Sequence, residues 1–134
     1  FLLFSKIHNK PDTGSSRIRG HWLIKYWSEA EELHYGRKYS AIIYQKVYEP
    51  EHARIFDGVK ILDCCDPDFI DCKIPFMQMI EACDAVTVPT EALQKAIQGW
   101  TKKPVVVIPD RHDLEHNKEK KIHKRKAKNV CWLS

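Results

Sequence analysis

Five short apolar runs recur along this chain, each separated from the next by a segment with helical character. They are Phe1 to Lys6, Tyr39 to Tyr48, Val59 to Asp63, Ala85 to Val88 and Pro104 to Ile108. Each is nearly continuous rather than alternating, and rich in β-branched or aromatic residues, which suits strands buried on both faces of a parallel sheet. The stretches between them carry helix signals. Arg17 to Leu33 has a broad apolar side with acids gathered at Glu29, Glu31 and Glu32. Pro50 opens a short helix that Gly58 stops, Phe76 to Cys83 forms another, and Thr90 caps a last one ended by Gly99. Strands alternating with helices predict βαβ units with right-handed crossovers, and so an α/β fold with a doubly wound, mostly parallel sheet in three α/β/α layers.

At 134 residues the chain holds one ordinary domain and falls short of two full α/β domains. Its longest apolar runs are far below the roughly 18 residues needed to cross a bilayer. Phe1 already reads as part of a strand, so the sequence looks like the middle of something longer. The domain is expected to run from 1 to 110, followed by a charged linker over 111–128. Residues 129–134 read as the first strand of an absent second domain.

Charge is uneven. The chain has 22 Lys and Arg against 18 Asp and Glu, for a net +4. Between Asn117 and Lys128 lie seven basic residues and one acid, whereas the rest holds 15 basic and 17 acidic groups. The body is therefore slightly acidic. The basic stretch reads first as a solvated linker. The sharper alternatives are a nucleic-acid or anionic-membrane patch. Peripheral membrane contact stays among the expected partners. Nucleic acid does not, because the body lacks interleaved aromatic and basic surface. The odd cysteine count, with no C-x2-C pair, points to reduced thiols in a cytoplasmic protein rather than to disulfides or zinc.

In a doubly wound sheet, ligands bind beyond the carboxyl ends of the strands. Four segments fall there. The loop after the first strand contains Gly14, Ser15, Ser16, Arg17 and Arg19. A serine cap, backbone N–H groups and two guanidinium groups form an anion cradle, with an ordinary helix start as the plainer reading. Lys46 sits near the end of the second strand. Asp63, Asp66 and Asp68 crowd the exit of the third, where one could act as a general base, share a cation, or simply favour a helix N-terminus. Thr90 places a hydroxyl beyond the fourth. Neither of the common Gly-rich phosphate motifs occurs, and no nucleophile arrangement stands out.

Taken together these segments resemble the N-terminal half of a retaining glycosyltransferase of the GT-B type, close to family 4. The resemblance is carried by Thr13-Gly14-Ser15-Ser16-Arg17-Ile18-Arg19-Gly20, by Ala41 to Tyr48, and by Lys60-Ile61-Leu62-Asp63-Cys64-Cys65-Asp66-Pro67. Most specific is Ala82 to Leu93 leading to Lys103-Pro104-Val105-Val106-Val107-Ile108-Pro109-Asp110. It implies a Rossmann-like domain on the acceptor side of an enzyme that moves a sugar from a nucleotide-sugar donor to a hydroxyl acceptor. By the same resemblance Gly14, Ser15, Ser16, Arg17, Arg19 and Thr90 lie near the donor diphosphate or the acceptor. Asp66 and Lys46 line the catalytic cleft, and neither a metal nor a cofactor is required. The paired-glutamate donor motif belongs to the second domain, so this chain alone is expected to be inactive. A non-catalytic Rossmann-like binding module, or a nucleic-acid-associated domain using 117–128, is the alternative.

Overall fold

A computed structural model describes residues 2–4 and 14–111. The elements run β1 (Leu2–Phe4), α1 (Gly14–Ser16), a π-helical turn (Arg17–His21), α2 (Trp22–Tyr26), β2 (Ala41–Gln45), α3 (Pro50–Ile55), β3 (Val59–Asp63), α4 (Lys73–Ala82), β4 (Ala85–Val88), α5 (Glu91–Gln98) and β5 (Val105–Val107). The five strands form one sheet in the order β1-β2-β3-β4-β5, and every neighbouring pair is parallel. This is the expected α/β architecture. The expected linker and final strand fall within 112–134, outside the described residues.

Alternate residues of a strand face opposite sides of the sheet, which splits the core in two. One face carries Ile42, Tyr44, Leu62, Val86 and Val88, each at most 1% exposed. Ala53 of α3, Phe76, Met79 and Ile80 of α4, and Ile97 of α5 complete this cluster. Steadily advancing strand order with right-handed crossovers puts successive helices on the same side, as seen here for α3 to α5. The other face carries Ile43, Gln45, Asp63 and Thr87, and the helical segment 14–26 lies over its upper end. The chain then returns, and Leu33 and Tyr39 pack against the first cluster. Helices thus cover both faces, but the second layer is partial: Val59 and Val106 stay about half exposed, at 51% and 46%.

Local chemistry sets the element ends. β3 and β4 match the sequence expectation at both ends. Thr90 caps α5 as expected, its Oγ1 accepting from Leu93 N at 3.2 Å. α4 begins earlier than expected, with Pro75 in its first turn, where the missing N–H costs nothing. The strand expected to end at Tyr48 stops at Gln45, because Lys46 turns into the left-handed region with φ 52°. Gly58 is dictated by close approach: a Cβ there would lie 2.8 Å from the carbonyl oxygen of Ser40.

The largest departure is the first helix, expected over 17–33. It starts at Gly14, so Ser16 has helical angles and makes no capping bond, and it ends at Tyr26. Its continuation would place Glu29, Glu31 and Glu32 at a helix C-terminus, where the dipole disfavours anions. The acids are used in a loop instead. Arg37 grips Glu31 at 2.6 Å, and the Tyr39 hydroxyl donates to Glu31 Oε1 at 3.0 Å.

Candidate functional site

The strand register places Gln45, Asp63 and Thr87 side by side at the carboxyl ends of β2, β3 and β4. Gln45 and Asp63 are 1% and 4% exposed, buried polar groups in a row at the carboxyl rim of the sheet. A buried carboxylate needs compensation, and it comes from the segment after β1. Arg19, in the middle of the π-helical turn, donates from Nε to Asp63 Oδ2 at 2.7 Å and from Nη2 to Asp63 Oδ1 at 2.5 Å. Thr87 Oγ1 adds a third bond to Asp63 at 2.6 Å. Arg19 Nη1 reaches the Ile108 carbonyl at 2.9 Å and Asp110 Oδ1 at 2.8 Å. Burial disfavours the Arg19 charge, but the Asp63 and Asp110 contacts outweigh it and hold the guanidinium more firmly protonated than usual. One side chain therefore ties the helical segment 14–26 to the exits of β3 and β5. Arg19 makes these contacts from within the π-helical turn, a geometry frequent at functional sites.

A second polar group stands beside the first, linked to it by Lys46 N donating to the Asp63 carbonyl at 3.1 Å. Lys46 Nζ contacts Asp66 Oδ2 at 2.6 Å and Asp68 Oδ1 at 3.5 Å. The Tyr48 hydroxyl donates to Asp68 Oδ2 at 2.5 Å. The turn carrying the two acids is fixed from below by Phe69, which packs on Phe76 and on Trp100. The hydrogen bond from Lys46 pulls the Asp66 carboxyl below its ordinary range. Burial opposes the Lys46 charge, yet Asp66 and Asp68 raise its pKa overall. Burial pushes the Tyr48 hydroxyl up, helped by its bond to Asp68. Burial, with nearby acids, also pushes the Cys64 and Cys65 thiols up to about 12, which leaves them unreactive at neutral pH.

Between the 14–26 segment and the sheet lies a cavity of about 490 Å³. Its walls are the aromatic rings of Trp22, Tyr26 and Trp27 with Leu23, Ile43 and Ile108, while Arg19, Asp63, Asp110 and Arg111 supply its polar edge.

The expected residues thus divide. Arg19, Lys46 and Asp66 stand at one rim. Arg17 is exposed and lies over the Trp22 ring, 5.9 Å from its centre. Gly14 is exposed, Ser15 half-buried and Ser16 buried in the start of the helical segment. Thr90 is exposed and its oxygen serves the α5 cap. Asp63, one of the acids expected at the exit of β3, is joined at the site by Gln45, Tyr48, Thr87 and Asp110, which the sequence does not single out as binding residues. For Asp63 a signal exists: a carboxylate at the end of a largely apolar strand. For the other four there is none, since their roles depend on strand register. Among the described residues no group of three or more acids, histidines or cysteines is placed to hold a metal ion, and no helix is long and apolar enough to cross a membrane. No family model, curated protein or solved structure matches the chain.

Proposed function

We propose that this chain is the acceptor-side domain of a GT-B-type glycosyltransferase, working with a second Rossmann-like domain that binds most of the nucleotide-sugar. The observation that carries this reading is Arg19 meeting Asp63 and Asp110, which brings the helical segment 14–26 and the end of β3 to one carboxyl rim of a parallel sheet. That rim is where open α/β sheets take their ligands. Asp66, held ionised by Lys46, is a weak base but a good hydrogen-bond acceptor for a sugar hydroxyl. Lys46, shared between Asp66 and Asp68, fixes both carboxylates at the cleft and offsets part of their charge. Arg17, exposed, is the guanidinium available to the donor diphosphate, while Arg19 positions the segment. In this reading Gly14, Ser15, Ser16 and Thr90 lie near the donor diphosphate or the acceptor, as the resemblance implies, and the setting is cytoplasmic.

The saturated surroundings of Arg19, held between two carboxylates, favour a second reading, a non-catalytic binding module on the same rim. One experiment separates the two. The protein carrying this chain is incubated with labelled UDP-, GDP- and ADP-sugars and a panel of hydroxyl acceptors. Transfer is expected, lowered at least tenfold by Lys46→Met or Asp66→Asn and lowered by Arg17→Ala. Nucleotide-sugar or acceptor binding without transfer would favour the module.

A further inference from the structure

We infer that the cavity under the first helical segment binds the apolar portion of an amphiphilic hydroxyl-bearing acceptor, an alkyl or aryl glycoside, with its sugar end held at the mouth beside Asp110. This deepens the transferase reading and rests on it for the word acceptor. The described walls favour an apolar ligand. Trp22, Leu23, Tyr26, Ile43 and Ile108 offer apolar surface and no charge. The two charged groups at the floor are spent on each other, Arg19 and Asp63 having side chains only 7% and 5% exposed. Among the described lining residues Arg19 and Arg111 balance Asp63 and Asp110, so the lining itself carries no excess positive charge for a phosphate or diphosphate. A ligand entering it gains by burying hydrocarbon and loses any polar group it cannot pair.

The mouth is different. Asp110 is 49% exposed, and its Oδ1 accepts from Arg19. Its Oδ2 has no partner among the described residues. A carboxylate oxygen at the edge of an apolar chamber suits a hydroxyl attached to a hydrocarbon group. The volume lies within the range of roughly 300–1,000 Å³ usual for small-molecule sites, large enough for an octyl or phenyl group.

The test is calorimetric titration of the full chain with octyl β-glucoside, kept below its micelle concentration, and with methyl β-glucoside. Octyl glucoside is expected to bind at least tenfold more tightly, an effect that burying about two methylenes already produces. Ile108→Trp, at a half-exposed position on the wall, should fill the chamber and weaken octyl glucoside at least fivefold. Tyr26→Ala, also exposed, should weaken it by removing wall, and serves where Ile108→Trp alters the far-ultraviolet circular dichroism. Equal affinity for the two glucosides, no octyl glucoside binding, or binding unchanged in both variants would overturn the inference. Failure of the wider reading looks different. Octyl glucoside bound as expected by a protein that transfers no sugar upholds the cavity and defeats the transferase. Transfer indifferent to the alkyl chain does the reverse.

Discussion

Replacing Asp63 by leucine should unfasten the segment after β1 from the sheet. Asp63 accepts two bonds from Arg19 and one from Thr87, all between 2.5 and 2.7 Å. With the carboxylate gone, the Arg19 guanidinium keeps only Asp110 and the Ile108 carbonyl. Breaking a buried pair by removing one partner costs about 3–5 kcal/mol. Arg19→Met should cost a similar amount, because it strands Asp63 at 4% exposure with the Thr87 hydroxyl alone. The double variant Arg19→Met/Asp63→Leu leaves no orphaned charge in the sheet and joins the apolar wall of the adjacent cavity. It should cost less than either single change. Urea unfolding followed by circular dichroism gives all four stabilities by linear extrapolation. Single costs below about 1 kcal/mol, or a double cost equal to the sum, would refute the view that this pair clamps the rim.

Three more outcomes follow from the contacts. Lys103 Nζ donates to the carbonyls of Ile80, Glu81 and Cys83 at 3.0, 2.5 and 2.5 Å, closing the end of α4. Lys103→Met should therefore lower stability by about 1.5–3 kcal/mol in the same urea assay. Alkylation at pH 8 with peptide mapping should label exposed Cys72 well before Cys64, Cys65 and Cys83, all pushed up to about 12, where thiolate is about a thousandfold scarcer than at an ordinary cysteine. Lys46→Gly relieves a left-handed φ but loses the ion pair to a half-exposed Asp66, so stability should stay within about 1 kcal/mol of the parent while transfer falls. The pH dependence has a fixed sign. Asp66, its pKa depressed, stabilises above its unfolded value, and that contribution fades as pH falls through the folded one. Lys46, its pKa raised, stabilises below its unfolded value and loses this as pH rises through the folded one.

How much of this was readable from the chain follows from how local each cause is. β3 and β4 are central strands paired on both edges, so their apolar runs carry their own boundaries. Thr90 and Gly99 do the same for α5. The first helix was over-read because its acids looked like a solvated face, whereas Glu31 answers to Arg37 and Tyr39 across a loop. The site was half legible. Lys46 and Asp66 follow from strand exits, a position any parallel sheet makes special. Arg19 was picked out as an anion binder, yet its charge is consumed by Asp63 and Asp110, 44 and 91 residues away. No spacing rule encodes a contact of that range. The cavity was hidden for a related reason. Trp22 and Tyr26 read as the apolar side of a helix, and only the partial cover of the second sheet face leaves space beneath them.

Residue-resolved NMR of the isotope-labelled chain, titrated with octyl β-glucoside, tests the placement of function most directly. The amide shifts should cluster at 18–27, 45–48, 63–68 and 108–111, around the carboxyl ends of the strands. Perturbations gathered instead on α3 and α4, or at the opposite ends of the strands near Ser40, Gly58 and Asp84, would contradict the account.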